Sequence, residues 1–190
     1  MRGVLLVIIG VVAAPLLGGL IAGVDRRLTA WFQSRYGPPV WQPFFDVAKL
    51  FGKEKLLVNT WQVVCAYIYI TAAMLSVVLF FLQSDLLLIL FVQAVGAIFL
   101  VMGAFSATSP YSQVGANREL IQILTYEPLI ILVFVGIYLA TGSFKISEIY
   151  SQTEPLLKSL PLLYIVLGYA LTIKLRKSPF DFSTSHHAHQ

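Results

Sequence analysis

Val4–Val24 contains 21 residues without one charged side chain, and similar apolar stretches recur along the chain. A helix needs about 20 apolar residues to cross a bilayer, so such runs dictate the fold before anything else does. Four more follow, near residues 62–82, 86–105, 118–141 and 156–173. The first exceeds the ~7–15 residue apolar region of a secretory leader. It also carries Pro15, Gly18 and Gly19, so we read a retained helix kinked near Pro15. Only 12% of the residues are charged and the mean hydropathy is +0.81. Soluble domains carry about twice that charged share. The expected fold is an all-α integral membrane protein: one membrane domain over 1–190, a polytopic helix bundle with five spans.

Lysine and arginine set the orientation of such a bundle. Arg26, Arg27, Arg35, Lys49, Lys53 and Lys55 follow the first span, Arg118 follows the third, and Lys174, Arg176 and Lys177 follow the fifth. Arg2, Lys145 and Lys158 fall on the opposite side. The N-terminus is therefore expected outside and the C-terminus in the cytoplasm. The net charge of +4 is spread over several loops, with no basic run dense enough for nucleic acid. Cys65 is the single cysteine, so the chain holds neither an internal disulfide nor the ligands of an iron–sulfur cluster or four-cysteine metal site.

Between the first two spans lies YGPPVWQPFFDVAKLFGKE, Tyr36–Glu54. From Pro43, helical spacing places Phe44, Val47, Ala48 and Phe51 on one face and Asp46, Lys49 and Lys53 on the other. Proline suits a first turn, where its missing N–H is not needed. The expectation is an interfacial amphipathic helix over 43–54, either a membrane anchor or a docking platform for a cytoplasmic partner.

Glu127, in LTYEPLIIL, lies nine residues beyond Arg118, roughly 13 Å along the helix. A carboxylate at that depth faces a cavity or a partner. Pro128 frees the Leu124 carbonyl beside it, which favours local water and proton relay; a hydrogen-bonded structural acid is the alternative. Ser106–Glu119 reads as a polar cytoplasmic loop. Glu119 then caps the next helix through its dipole, while Arg118 is a positive-inside anchor or the partner of a carboxylate across the loop. Ser-Pro-Phe-Asp breaks the chain after the fifth span and leaves Asp181 near three basic residues. His186, His187 and His189 lack accompanying ligands for a metal; proton transfer fits them slightly better, beside a solvated loop.

Taken together, DRRLTAWFQSRYGPPVWQPFFDVAKLFGKE, SPYSQVGANRELIQILTYEP and KLRKSPFDFSTSHHAHQ resemble one family. It is the membrane subunit shared by respiratory complex I, where it forms the quinone site, and the energy-converting membrane-bound NiFe hydrogenases. The resemblance implies a bundle of about eight helices that anchors a hydrophilic electron-transfer arm. It implies that Arg35, Trp41, Asp46, Lys49 and Lys53 dock the small iron–sulfur and large catalytic subunits. Glu127, Glu119, Arg118 and Asp181 would belong to the polar ion-coupling path, with the three histidines as a candidate relay.

Complex I members carry a glutamate seven positions before the Pro-Phe-Asp aspartate and more after it; here that position is Lys174 and the ending is Ser-His-His-Ala-His-Gln. This favours the hydrogenase branch. The implied function is a non-redox subunit of a ferredoxin-linked oxidoreductase, coupling hydrogen formation to export of H⁺ or Na⁺. The implied partners are a large NiFe-type subunit, a small iron–sulfur subunit, an antiporter-like membrane subunit and the bilayer, with nickel–iron and iron–sulfur centres in the partners. The alternatives are the quinone-site subunit of a complex I-like dehydrogenase and an autonomous small transporter. Family members continue for several more helices, so residues 1–190 are expected to be incomplete at the C-terminal end.

Overall fold

A computed structural model describes residues 2–54, 59–152, 155–176 and 180, with side chains from Leu6 onward. Lys55, Asp181, His186, His187 and His189 lie outside the described residues. Among those described, the regular structure is helical: α1 (Arg2–Phe32), α2 (Gln42–Phe51), α3 (Thr60–Phe81), α4 (Leu86–Phe105), α5 (Pro110–Thr141), α6 (Ile146–Tyr150), α7 (Leu156–Ser159) and α8 (Pro161–Lys174). Four of them, α1, α3, α4 and α5, are long and apolar enough to cross a membrane, and α8 is a shorter apolar helix. The protein is a polytopic membrane helix bundle. It divides into two compact units, residues 1–58 and 59–190.

In the first unit α1 does not stop at Val24 but runs through Asp25, Arg26 and Arg27 to Phe32, and helix also continues through Pro15. Charge marks where a helix leaves hydrocarbon, not where its hydrogen bonding ends. At about 1.5 Å per residue, 31 residues outrun the ~30 Å hydrocarbon core. The chain then turns back along α1. The Val40 carbonyl lies so close to Gly23 that any side chain there would collide with it. Next comes α2, with Pro43 in its first turn as its sequence requires. Phe44 lies against Gly19, and Asp46 accepts a 3.0 Å hydrogen bond from Arg26 Nη1.

The second unit is built on an antiparallel seam between α3 and α4. The small Gly103 and Gly96 lie opposite Cys65 and Ala72, seven residues apart on each helix. Two turns of matched small residues let the backbones approach closely, the packing that helices use where lipid removes the hydrophobic drive between them. Asn59 locks one end: its Oδ1 caps α3 by accepting from the Trp61 N–H, and its Nδ2 donates to the Ser106 carbonyl at 2.9 Å. At the other end the Leu86 N–H donates to the Phe144 carbonyl and the Ile146 N–H to the Ser84 carbonyl.

Two expectations change here. The polar linker after α4 is only Ser106–Ser109, because Pro110 opens α5 and the polar residues behind it are helical. The fifth apolar stretch is not one helix: it breaks at Leu160, and Pro161 begins the 14-residue α8. Pro161 cannot donate to a continuing helix, and Leu160 takes an irregular backbone (φ −134°, ψ 55°). α8 runs antiparallel to α5, with Leu163 against Gly136 at one end and Arg176 against Glu119 at the other.

Candidate functional site

Helix α5 carries the polar groups into the bundle. Glu119, Gln122 and Tyr126 follow each other at i, i+3 and i+7 and share the buried face with Ile123, Ile130 and Val133. Glu119 is only 6% exposed, which the cap reading did not anticipate. With α5 starting at Pro110, it sits in the third turn rather than the first, so it has no N-terminal dipole to complement. Its partner is Arg176, whose Nε and Nη2 both donate to Glu119 Oε1, at 2.9 and 2.6 Å. Arg176 stands two residues past α8 with φ +51°, in the left-handed region that a non-glycine residue seldom adopts. Glu119 Oε2 and Gln122 Oε1 are buried with no hydrogen-bond partner among the described residues. Gln122 Nε2 donates to the Phe180 carbonyl at 2.5 Å. Arg118, one residue before Glu119, is half-buried on the flank of α5.

Two cavities open on these groups. The first, about 330 Å³, is lined among others by Tyr69, Ser76, Gln93, Tyr126, Glu127 and Lys174. Lys174 Nζ donates to Gln93 Oε1 and sits 6.0 Å above the centre of the Tyr126 ring. Glu127 enters this cavity from α5, and Pro128 behind it leaves the Leu124 carbonyl without its helical donor. The second, about 280 Å³, is lined by Tyr111, Ser112, Gly115 and Glu119. Arg176 lines both. The chemistry is therefore two carboxylates eight residues apart on α5, each facing a cation from the end of α8, with one guanidinium as the shared wall.

Sequence reasoning named Glu127, Arg118 and Glu119, but it used Lys174 and Arg176 for orientation, as bases near Asp181 and, for Lys174, to separate the family branches, and not as partners of the acids on α5. A signal was present: three bases, Lys174, Arg176 and Lys177, follow an apolar stretch just before a helix-breaking Ser-Pro, at the same end as the acids of the preceding long span.

The expected docking residues fall in the first unit. Arg35, Trp41, Lys49 and Lys53 are exposed. Asp46 is bound up with Arg26 and with Gln42 Nε2 at 3.1 Å, and these hydrogen bonds hold its carboxyl below its usual value of 3.8. Phe44 contacts Trp41, with ring centres 5.7 Å apart, while Phe45, Val47, Leu50 and Phe51 stay exposed.

A family profile described as NADH dehydrogenase matches residues 4–187. An NADH-quinone oxidoreductase subunit of Carboxydothermus hydrogenoformans is 29% identical over 93% of this chain and 57% of its own length. Hydrogenase-4 component C of Escherichia coli is 29% identical over 87% of this chain and 58% of its own. The chain thus spans somewhat over half the length of these curated relatives. Among solved structures, a chain of an archaeal respiratory complex, the membrane-bound sulfane sulfur reductase, superposes with a TM-score of 0.87 at 24% identity. That match covers 99% of this chain and 67% of the other, and it supports the fold.

Proposed function

Because this chain belongs to the NADH dehydrogenase family, we propose that it is a membrane subunit of a complex I-like energy-converting assembly, with a NiFe hydrogenase as the redox partner. The observation that carries the reading is the cavity where Glu127 and Lys174 meet inside the bundle. Ionisable groups at membrane depth are costly, and they mark ion pathways. Here they form a series: Glu119 with Arg176 at one cavity, then Glu127 with Lys174 at the next. In this reading redox events in a hydrophilic arm bias the first pair, and the second passes the charge change towards an antiporter-like neighbour. The similarity to Hydrogenase-4 component C and the cation at position 174 favour the hydrogenase branch.

The assembly we propose places α2 and the Ser106–Ser109 turn on the cytoplasmic side, beneath the small iron–sulfur and large NiFe-type subunits. Nickel–iron and iron–sulfur chemistry belongs to those partners, and ferredoxin supplies the electrons. The exposed Arg35, Trp41, Lys49 and Lys53 form the docking surface. Charge reversal at Lys49 and Lys53 releases the arm from membranes if this surface holds it; an arm retained in full leaves α2 as an anchor only.

Glu127→Gln tests the coupling role. It should leave subunit composition and nickel content unchanged and lower coupled hydrogen formation about a hundredfold or more, the scale of an essential proton-transfer group. Fully coupled turnover would remove Glu127 from the path. The similarity to the Carboxydothermus NADH-quinone oxidoreductase protein keeps a second reading, the quinone-site subunit. Quinone reduction without hydrogen formation by the purified assembly would select it.

A further inference from the structure

A second polar site lies where the α3–α4 and α5–α6 connections meet. Asp85 and Lys145 stand opposite each other there in a single antiparallel bridge. The Leu86 N–H donates to the Phe144 carbonyl at 3.0 Å, and the Ile146 N–H to the Ser84 carbonyl at 3.3 Å. Residues directly opposite in such a pair project their side chains to the same face. Both line a cavity of about 470 Å³, with Leu88, Phe91, Tyr138 and Phe144. The Tyr138 and Phe144 rings stack, with centres 4.4 Å apart and planes 13° from parallel. Gly142, at φ +76°, reverses the chain between them. Backbone bonds and ring stacking thus form the rim without a ligand.

An apolar cavity of about 340 Å³ adjoins this one. Phe91 lines both; beyond it, Val92 and Val95 of α4 face Ile68, Thr71 and Leu75 of α3. Leu88, Phe91 and Val95, at i, i+3 and i+7, form one exposed stripe. Val95 lies about 14 Å along α4 from Leu86, and Ile68 about 20 Å along α3 from Phe81. One leaflet contributes about 15 Å of hydrocarbon. The two cavities therefore run from the helix ends, where headgroups lie, to about the depth of one leaflet. A polar head above an apolar channel of that length is the outline of a phospholipid.

Charge decides which headgroup fits. The Asp85 side chain does not cap α4, and Lys145 leans towards Glu148, 3.9 Å away. Among the described residues, two carboxylates at this end, Asp85 and Glu148, stand against the one ammonium of Lys145. A purely anionic headgroup meets net repulsion here. A zwitterion whose ammonium donates to Asp85 and whose phosphate accepts from Lys145 is complementary. A trimethylammonium headgroup has no N–H to donate.

We propose that the two cavities hold one phospholipid with a phosphoethanolamine headgroup, its ammonium on Asp85, its phosphate at Lys145 and one acyl chain in the α3–α4 groove. The site is independent of the coupling role proposed for Glu127. Bound there, the lipid bridges α3, α4 and α5 at the end opposite Asn59 and Ser106.

The test uses the assembled complex in vesicles of dioleoylphosphatidylcholine. The vesicles carry a trace of a phosphoethanolamine lipid with a diazirine in one acyl chain. After irradiation the crosslinked peptides are mapped by mass spectrometry. Crosslinks should fall on residues 68–75 and 91–95. Dioleoylphosphatidylethanolamine should compete them away about tenfold more effectively than dioleoylphosphatidylglycerol, the worth of one charge-assisted hydrogen bond. Asp85→Ala should bring the two competitors level, and Val95→Trp, which fills the groove, should remove the crosslinks on residues 68–75. Absence of crosslinks on both segments in the wild type overturns the proposal, since a protein neighbour then covers the face. Equal competition by the two lipids overturns it as well and leaves only unselective boundary lipid. A preference that survives Asp85→Ala overturns the headgroup assignment. The wild-type competition decides the matter even where a variant does not assemble.

Discussion

At the residue scale the site turns on Arg176. Its left-handed backbone costs about 1–2 kcal/mol relative to glycine, a cost the double hydrogen bond to Glu119 offsets. Breaking a buried ion pair from one side leaves an uncompensated charge, typically about 3–5 kcal/mol. The Arg176 side chain is 36% exposed, so Arg176→Ala should cost less, about 2 kcal/mol, read as a lower melting temperature of the complex in detergent. Adding Glu119→Gln should restore most of the loss, because the orphaned carboxylate is then gone. Asp46 provides a contrast at the surface. Its carboxyl titrates below 3.8 because Arg26 and Gln42 donate to it, so its contribution is present above that pH and lost as pH falls through the lowered value. Hydrogen-exchange protection over residues 37–45, taken relative to the intrinsic rate at each pH, should stay constant from neutral pH to about 4 and fall below it, and Asp46→Asn should abolish the step. Glu127 was legible from sequence because an acid nine residues into an apolar helix has no bland surface to occupy. Glu119 was misread because its neighbours look like a loop, and burial by a residue 57 positions away leaves no local mark.

At the element scale, the spans were legible and their ends were not. Apolar length reveals how much helix lies in hydrocarbon; it is silent on how far the helix continues outside, which is why α1 overshoots to Phe32 and α5 begins at Pro110. The break before α8 could have been read from Leu160-Pro161, since proline refuses the helix interior. The α3–α4 seam was hidden because small residues within apolar runs raise no hydropathy signal. Its register, Cys65 to Gly103 and Ala72 to Gly96, depends on the absence of side chains at the two glycines. Gly103→Val inserts three carbons where a first one already meets Cys65 Cβ at 3.1 Å. We expect a loss of about 1–3 kcal/mol, from overpacking, seen as earlier thermal unfolding. A cysteine pair engineered across the seam should crosslink less in that background.

At the scale of the whole molecule, the second unit has two distinct ends. Ser84–Leu86 and Phe144–Ile146 are tied together at one; Asn59, Ser106 and the start of α5 meet at the other. With Cys65 replaced by alanine, Ser84→Cys and Ser143→Cys should react with an impermeant maleimide from one side of the membrane, and Ser109→Cys from the other. From the balance of lysine and arginine, Ser109 is expected to be the cytoplasmic one. All three reacting from one side would overturn the arrangement. The sequence revealed the apolar spans because hydropathy is local. How α5 and α8 combine was not visible, since their pairing rests on contacts between distant residues. The shortness of α8 has an electrical consequence. Fourteen residues reach about 21 Å, well short of the ~30 Å of hydrocarbon. A short element draws water and lipid headgroups inward, so the membrane voltage falls over a thinner dielectric next to Lys174 and Glu127. One charge crossing the full voltage is worth about 2.3 kcal/mol per 100 mV. In the coupling role proposed for Glu127, a proton there would respond to the energised state of the membrane as well as to the redox state of the partner arm.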